Sequence, residues 1–168
     1  MIRAVLLDRD GTLIVDERGS LCLMPGAAAA VSRLRERGIH IGVVTNQPRA
    51  GADLRAKHEM HALHRRIESR VGVLDGWFVC THAPHDACNC RKPQPGLIVE
   101  AARAFGVGPS ECAVIGDIGS DVEAALRAGA HPVLVPTPVT RAEEIAAAPV
   151  VCADLLQAVN RVLEHVAA

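Results

Sequence analysis

Short apolar runs alternate with helix-length segments along the whole chain, and this alternation constrains the fold more than any other feature. The runs are rich in Val, Ile and Leu, as expected of strands that are buried on both faces of a sheet. Repeated strand–helix units predict a parallel sheet with helices on both sides. We therefore expect an α/β protein with a three-layer, Rossmann-like parallel sheet. The predicted strands are residues 2–7, 39–45, 76–80, 112–115 and 131–135, with a short edge strand at 150–151, and the predicted helices are residues 25–37, 52–71, 97–105, 120–128, 141–148 and 155–166.

Length and charge indicate one domain without a nucleic-acid or membrane partner. A chain of 168 residues is enough for one compact domain, so residues 1–168 are expected to form a single domain. Because 18 Lys and Arg stand against 19 Asp and Glu, the net charge of −1 does not suit a protein held to nucleic acid or anionic lipid by charge. The first apolar run contains Arg3 and is too short for a signal peptide or a membrane span. We expect a cytoplasmic monomer.

Polar side chains follow the predicted strands at the points where the strands end. Asp8 and Asp10 follow the first strand, and alternation along an extended chain points both carboxylates to one side. A bare Asp-x-Asp is by itself more often a surface turn than a functional site. Three further groups share the same predicted edge, however, and ligands bind at this edge of open α/β sheets. They are Thr45-Asn46-Gln47, Arg91-Lys92-Pro93, and the pair Asp117 and Asp121.

Three of the six cysteines lie with a histidine around one loop, residues 81–95. The pattern is Cys80-x-His82, five residues, then Cys88-x-Cys90. Three thiolates and an imidazole suit tetrahedral zinc, and four protein ligands make a closed, structural site that braces the loop. His85 is the alternative to His82 as the fourth ligand. The remaining cysteines are expected to be small buried side chains.

A second histidine group lies on the predicted helix 52–71. His58, His61 and His64 lie opposite or beside the apolar stripe of this helix. No cysteine or carboxylate converges with them by spacing, so we expect a solvated helix face rather than a metal site.

Taken in order, Asp-Arg-Asp-Gly-Thr, a strand-end Thr, a Lys and Gly-Asp-x-x-x-Asp resemble the haloacid dehalogenase superfamily over about residues 2–135. The resemblance implies a Mg²⁺-dependent phosphatase in which Asp8 forms an aspartyl phosphate and Asp10 is the general acid and base. It places the metal on Asp8, the backbone carbonyl of Asp10 and Asp117, with Asp121 orienting either the metal's waters or Lys92. Phosphate contacts are implied for Lys92, Thr45, Asn46 and Gln47. Neither sheet crossover is long enough for a cap domain, so an open site is expected.

The cysteine loop directly before Arg91-Lys92-Pro93 narrows the resemblance to a zinc-containing branch of the superfamily. Members of this branch act on D-glycero-D-manno-heptose 1,7-bisphosphate or on histidinol phosphate. The spacing between His82 and Cys88 is nearer the histidinol-phosphate pattern, whereas Arg91-Lys92-Pro93 and its continuation Gln-Pro-Gly are nearer the heptose pattern. The resemblance implies that Arg91 contacts the substrate beyond its reacting phosphate.

The same resemblance places Asp16 and Gly19 at the substrate entrance. Here the chain departs from the family, because residues 16–24 form a short segment and residues 48–51 replace the usual loop after Thr-Asn-Gln. The expected partner is a small phosphorylated metabolite, with the 7-phosphate of the heptose bisphosphate ahead of histidinol phosphate. The alternative from another class is a non-catalytic, zinc-stabilised binding module.

Overall fold

The computed structural model describes residues 1–17 and 20–164, and its centre is a five-stranded parallel sheet of order β5-β4-β1-β6-β7. The strands of this sheet are β1 (Ala4–Leu7), β4 (His40–Asn46), β5 (Gly76–Cys80), β6 (Cys112–Gly116) and β7 (His131–Leu134). A separate antiparallel hairpin is formed by β2 (Ile14–Glu17) and β3 (Ser20–Leu23). The helices are α1 (Ala27–Glu36), α2 (Leu54–Val71), α3 (Gly96–Ala104), α4 (Gly119–Ala128), α5 (Ala142–Ala147) and α6 (Leu155–Glu164), with short 3-10 helices at Pro48–Gly51 and Pro109–Glu111.

The strand order places the point where the sheet changes direction between β1 and β6. In the register, Leu7 on β1 pairs with Val43 on β4 and with Ile115 on β6. The carboxyl ends of the three central strands therefore lie at one edge, where doubly wound sheets bind their ligands. Asp8 leaves β1 on one side of this point, and Asp117 leaves β6 on the other.

Alternation along β1 divides the core into two layers. Val5 and Leu7 pack in the cluster that includes α1, α2 and α6, whereas Ala4 and Leu6 pack in the cluster that includes α3 and α4. All four side chains are fully buried, as the continuous apolar run predicts. The predicted α/β fold with a three-layer parallel sheet is confirmed.

Two connections join the strands on one side of the sheet, from β1 to β4 and from β4 to β5, and their described residues form only a hairpin and helices. The hairpin β2–β3 and α1 lie between β1 and β4, and a 3-10 helix and α2 lie between β4 and β5. The sequence analysis missed the hairpin, although Ile14 and Leu21 on its two strands are buried in the core. Among the described helices, none is long and apolar enough to cross a membrane.

The predicted solvated histidine face on α2 is wrong for one of its three members. His58 and His61 are exposed, but His64 is buried and stacks on Trp77 with ring centroids 3.7 Å apart. Burial, together with the positive charge of Arg9, lowers the pKa of His64 to about 4. His64 is therefore a neutral packing residue between α2 and β5.

Candidate active site

A buried ion-pair network joins Lys92 to two of the strand-end carboxylates. The Lys92 ammonium donates to Asp8 Oδ1 at 2.6 Å, to Asp121 Oδ1 at 2.5 Å and to the carbonyl of Val44 at 2.8 Å. These bonds occupy all three N–H donors of the ammonium group. Burial lowers the pKa of Lys92, but the charges of Asp8 and Asp121 outweigh this effect and raise the pKa above its usual value. Lys92 is thus held as a cation against Asp8.

Asn46 fixes the backbone from which Lys92 projects. Its Nδ2 donates to the Lys92 carbonyl, and its Oδ1 accepts from the Lys92 backbone N–H, both at 3.1 Å. The amide at the end of β4 therefore pairs with Lys92 as a neighbouring strand would. This contact links the cysteine-rich loop to the sheet edge.

Asp117 lies against Gly11 and a pair of threonines. A Cβ atom on Gly11, which has φ of +87°, would stand 2.2 Å from Asp117 Oδ2, so the carboxylate occupies space that only glycine leaves open. Thr137 donates to Asp117 Oδ2 at 3.3 Å, and Thr140 donates to the Asp117 carbonyl at 2.6 Å. Burial and the nearby charge of Asp121 raise the pKa of Asp117 to about 6.

Three carboxylates form a cluster whose charge Lys92 only partly balances. Asp8, Asp117 and Asp121 are all buried, and each offers an oxygen within 4.8 Å of the others. Burial raises the pKa of Asp8 to about 7 even though Lys92 lowers it. Three ionised carboxylates beside one ammonium leave two negative charges, and hard oxygen ligands suit Mg²⁺. The residues therefore fit a divalent cation of this type.

The carboxylate of Asp10 has a different environment, at the mouth of the site. Its side chain is 52% exposed and accepts hydrogen bonds from Arg9, including one of 2.9 Å from Nη2 to Oδ2. Gln47 Nε2 donates to the same Oδ2 at 2.7 Å and to Thr45 Oγ1 at 2.9 Å. Gln47 and Thr45 therefore connect Asp10 to the end of β4.

The predicted cysteine–histidine group converges at one point. Cys80, Cys88 and Cys90 have Sγ–Sγ separations of 3.4 to 3.8 Å, and His82 Nδ1 is 3.6 Å from Cys80 Sγ and 3.2 Å from Cys90 Sγ. Ligands at about 2.3 Å from a tetrahedral zinc are roughly 3.5–3.8 Å apart, so these four atoms fit the ion. His85 is not in the group, since its side chain is 86% exposed and faces Asp86.

The cysteines of this group differ in their electrostatics, because burial raises the pKa of Cys80 and of Cys90. Burial opposes ionisation of Cys88, but hydrogen bonds from the backbone N–H groups of Arg91 and Cys90 lower its pKa to about 7. Of the other cysteines, Cys112 and Cys152 are buried, as predicted, whereas Cys22 is only half-buried.

The predicted substrate contacts at the rim are only partly described. Arg91 Nη1 donates to the His82 carbonyl at 3.2 Å, so the guanidinium lies over the cysteine loop. Asp16 lies on β2, but its side chain is outside the described part of the structure, and Gly19 lies outside the described residues.

The chain is a doubly wound α/β protein. Its acidic site, which fits a divalent cation, lies where the strand order changes direction between β1 and β6. Residues 16–129 match the haloacid dehalogenase-like hydrolase family. The chain belongs to this family.

Individual relatives agree with this assignment. The D-glycero-beta-D-manno-heptose-1,7-bisphosphate 7-phosphatase of Bordetella bronchiseptica is 33% identical over 148 residues, which are 81% of this chain and 82% of the relative. The D-glycero-alpha-D-manno-heptose-1,7-bisphosphate 7-phosphatase of Mycobacterium bovis is 37% identical over 133 residues, which are 72% of this chain and 70% of the relative.

Solved structures match over nearly the whole length. The crystal structure of D,D-heptose 1,7-bisphosphate phosphatase from B. bronchiseptica with magnesium and phosphate superposes with a TM-score of 0.80 at 29% identity, covering 98% of this chain and 99% of that one. The corresponding enzyme from Burkholderia thailandensis gives a TM-score of 0.69 at 27% identity, covering 96% and 98%.

Proposed function

We propose that the chain is a Mg²⁺-dependent phosphatase that removes the 7-phosphate of D-glycero-D-manno-heptose 1,7-bisphosphate through an aspartyl phosphate. The observation that carries the proposal is Asp8, a buried carboxylate at the sheet's switch point that Lys92 holds by one oxygen at 2.6 Å. The relatives that share most of the chain act, by their names, on this sugar bisphosphate. They divide between the alpha and the beta anomer, so both are candidate substrates.

Asp8 is the nucleophile in this proposal. Lys92 binds its Oδ1, which leaves Oδ2 as the oxygen that attacks phosphorus. The new bond from Asp8 to phosphorus forms as the bond from phosphorus to the sugar oxygen breaks. The ammonium of Lys92 balances charge at Asp8, while the hydroxyl of Thr45 donates to a phosphate oxygen.

Asp10 is the general acid and the general base in this proposal. In the first half-reaction its carboxyl group gives a proton to the departing sugar oxygen, and in the second it takes one from the attacking water. The bond from water oxygen to phosphorus then forms as the bond from Asp8 to phosphorus breaks, which frees the Asp8 carboxylate and returns Asp10 to its protonated form. The half-exposed position of Asp10 suits this role, because protons and water reach it from outside.

Asp8, the backbone carbonyl of Asp10 and Asp117 are the proposed Mg²⁺ ligands. Asp121 reaches Lys92 rather than the solvent, which favours its role in orienting Lys92. When bound, the ion supplies positive charge that draws a phosphate dianion towards a cluster of carboxylates. The excess negative charge of Asp8, Asp117 and Asp121 supports this proposal.

Cys80, His82, Cys88 and Cys90 are the proposed zinc ligands. The loop that they close leads directly into Arg91 and Lys92, so zinc fixes the segment that delivers both cations to the site. Arg91 lies at the loop surface and is proposed to contact the part of the substrate beyond the reacting phosphate.

We also propose that the enzyme is a single-domain, cytoplasmic monomer. Residues 1–168 are taken as one domain without a cap, supported by core clusters that join most of the described elements. Six free cysteines support a reducing, cytoplasmic compartment. The net charge of −1 argues against nucleic acid. Among the described residues, the most exposed apolar side chains lie on separate segments, as in a monomer; they are Met1, Leu54, Val73 and Val139.

The test is phosphate release from a panel of substrates. It contains both anomers of the heptose bisphosphate, histidinol phosphate and p-nitrophenyl phosphate. Each is assayed with the metal-depleted protein before and after Mg²⁺ is added. Depletion is by dialysis against Mg²⁺-free buffer, because EDTA would also remove zinc.

Mg²⁺-dependent turnover that strongly favours one heptose anomer supports the proposal. A preference for histidinol phosphate would replace the substrate and keep the chemistry. No turnover of any substrate by protein that carries zinc would overturn the enzymatic proposal in favour of a binding module.

A further inference from the structure

The side-chain amide of Gln47 lies between the proposed acid–base residue and the proposed phosphate-binding hydroxyl. Its Nε2 donates to Asp10 Oδ2 at 2.7 Å and to Thr45 Oγ1 at 2.9 Å. A primary amide has two N–H donors, and these two bonds use both. Gln47 therefore has no free N–H for a substrate phosphate, which was the role that the family resemblance implied.

The orientation of Asp10 depends on hydrogen bonds more than on packing. Its side chain is half-exposed, so neighbouring side chains do not enclose the carboxylate. Two groups hold it instead. Arg9, whose side chain is only 8% exposed, places Nε 3.1 Å from both oxygens, and Gln47 reaches across from β4.

The two oxygens of Asp10 are not equivalent in this arrangement. Oδ2 accepts from Gln47 Nε2, Arg9 Nη2 and Arg9 Nε, whereas Oδ1 accepts only from Arg9 Nε among the described residues. An oxygen with several donors is a poor place for a proton. The geometry leaves Oδ1 as the oxygen that carries and releases the proton.

We propose that Gln47 is a positioning residue that aims Asp10 Oδ1 at the leaving oxygen of the phosphate ester. This inference rests on the proposed function, since it assumes that Asp10 is the general acid. Thr45 accepts the second N–H of Gln47, so the hydroxyl proton of Thr45 remains free to donate to phosphate. One amide thus fixes the distance between the group that binds the phosphate and the group that protonates the leaving oxygen.

The proposal is tested by how activity depends on the leaving group. General acid catalysis matters most when the leaving oxygen is basic, as in an alkyl phosphate, and least for 2,4-dinitrophenyl phosphate. Gln47→Met keeps the length of the side chain and removes both donors. Its loss of kcat/KM, which reports formation of the aspartyl phosphate, is expected to be about 10-fold larger on the alkyl phosphate than on the dinitrophenyl ester, with little change in KM.

The reference variant is Asp10→Asn, which removes the acid. It is expected to show the same dependence on the leaving group, but more steeply. If Gln47 acts through Asp10, then Asp10→Asn/Gln47→Met loses little beyond Asp10→Asn alone. Gln47→Asn, which retains the amide one methylene short, is a second variant expected to shift in the same direction. Gln157→Met on α6 is the matched control, because it also removes a hydrogen-bonded amide.

Two results would overturn the inference alone. One is an equal loss on all leaving groups with a raised KM, which would make Gln47 a phosphate contact. The other is additive losses in the double variant. If Asp10→Asn itself shows no dependence on the leaving group, the general-acid role in the proposed function fails and this inference fails with it.

Discussion

The side-chain amide of Asn46 pairs with the backbone of Lys92 through two hydrogen bonds of 3.1 Å. The pair spans 46 positions in sequence and joins the end of β4 to the end of the cysteine loop. This pair matters for the site because the Lys92 side chain donates hydrogen bonds to Asp8 and Asp121. A surface loop is thereby fixed to the buried centre of the site.

Asn46→Leu is expected to lower both stability and activity. It removes both hydrogen bonds and leaves the Lys92 backbone groups without partners, at a cost of about 1–3 kcal/mol. Urea unfolding and kcat with p-nitrophenyl phosphate measure the two effects. Asn160→Leu, which removes a surface hydrogen bond with Arg33, is the control and is expected to keep kcat. Unchanged kcat in Asn46→Leu would show that the pair does not position Lys92 for catalysis.

Asp8→Asn is expected to lower turnover by at least about 10³-fold while the fold remains intact, because an amide does not replace the attacking carboxylate. Phosphate release and circular dichroism report the two properties. Near-normal activity would exclude the aspartyl-phosphate route. Trapping a covalent phosphate on the unmodified protein with an acid quench, and finding none on the variant, gives an independent check.

Gly11→Ala is expected to weaken Mg²⁺ binding by about 10-fold or more, because displacing a ligand or its support has effects of this size. The new Cβ atom would stand 2.2 Å from Asp117 Oδ2 and push that carboxylate away. Mg²⁺ titration by calorimetry and by activity measures the change. Gly38→Ala is the matched control, since Gly38 also has positive φ, of +66°, but nothing lies within 4 Å of the added carbon. Equal effects of the two substitutions would assign the loss to backbone strain.

Cys88→Ser is expected to lower zinc content and thermal stability together. A serine hydroxyl does not replace a thiolate at this site, and loss of bound zinc lowers Tm by roughly 10 °C. Elemental analysis and a thermal melt are made on the same preparation. Cys22→Ser, which removes a half-buried thiol outside the cysteine–histidine group, is expected to keep its zinc. Full activity in a zinc-free preparation would remove the proposed bracing role.

His64→Phe is expected to reduce the loss of stability on acidification. The folded-state pKa of His64 is about 4, below its usual value of 6.5, so the unfolded chain binds more protons between these pH values. Stability due to the neutral ring is therefore complete above about pH 6.5 and decreases as the pH falls towards 4, by up to about 3 kcal/mol. Urea unfolding at a series of pH values measures this slope. His58→Phe, on the exposed part of α2, is expected to keep it.

The sequence predicted the sheet and the location of the site because both depend on local patterns. Continuous apolar runs identify buried strands, and the residues that follow them, such as Asp8 and Asp117, reach one edge whatever the details of packing. The cysteine–histidine group was found in the same way, from spacing within a single loop. The hairpin β2–β3 was missed although its signal was present, since short apolar stretches lie on both sides of the polar residues 16–20 in the sequence.

The parts that the sequence did not predict depend on contacts between distant segments. The burial of His64 requires Trp77, which reaches it from β5. The contacts of Gln47 with Asp10 and of Asn46 with Lys92 require the register of β4 beside β1 and the path of the cysteine loop. Amide side chains after a strand predict polar contacts, but which group each one binds is set by the folded arrangement.

Trp77 is the only tryptophan in the chain, and it lies face to face with the ring of His64 three positions before Cys80. This stack gives the protein an intrinsic fluorescence probe between α2 and β5, on the strand that ends at Cys80. A charged imidazole quenches indole emission, so the signal reports the protonation of His64 directly. It also reports any movement of the β5 terminus when the metal leaves. Zinc loss and acid unfolding can therefore be followed optically, without a dye or an added label.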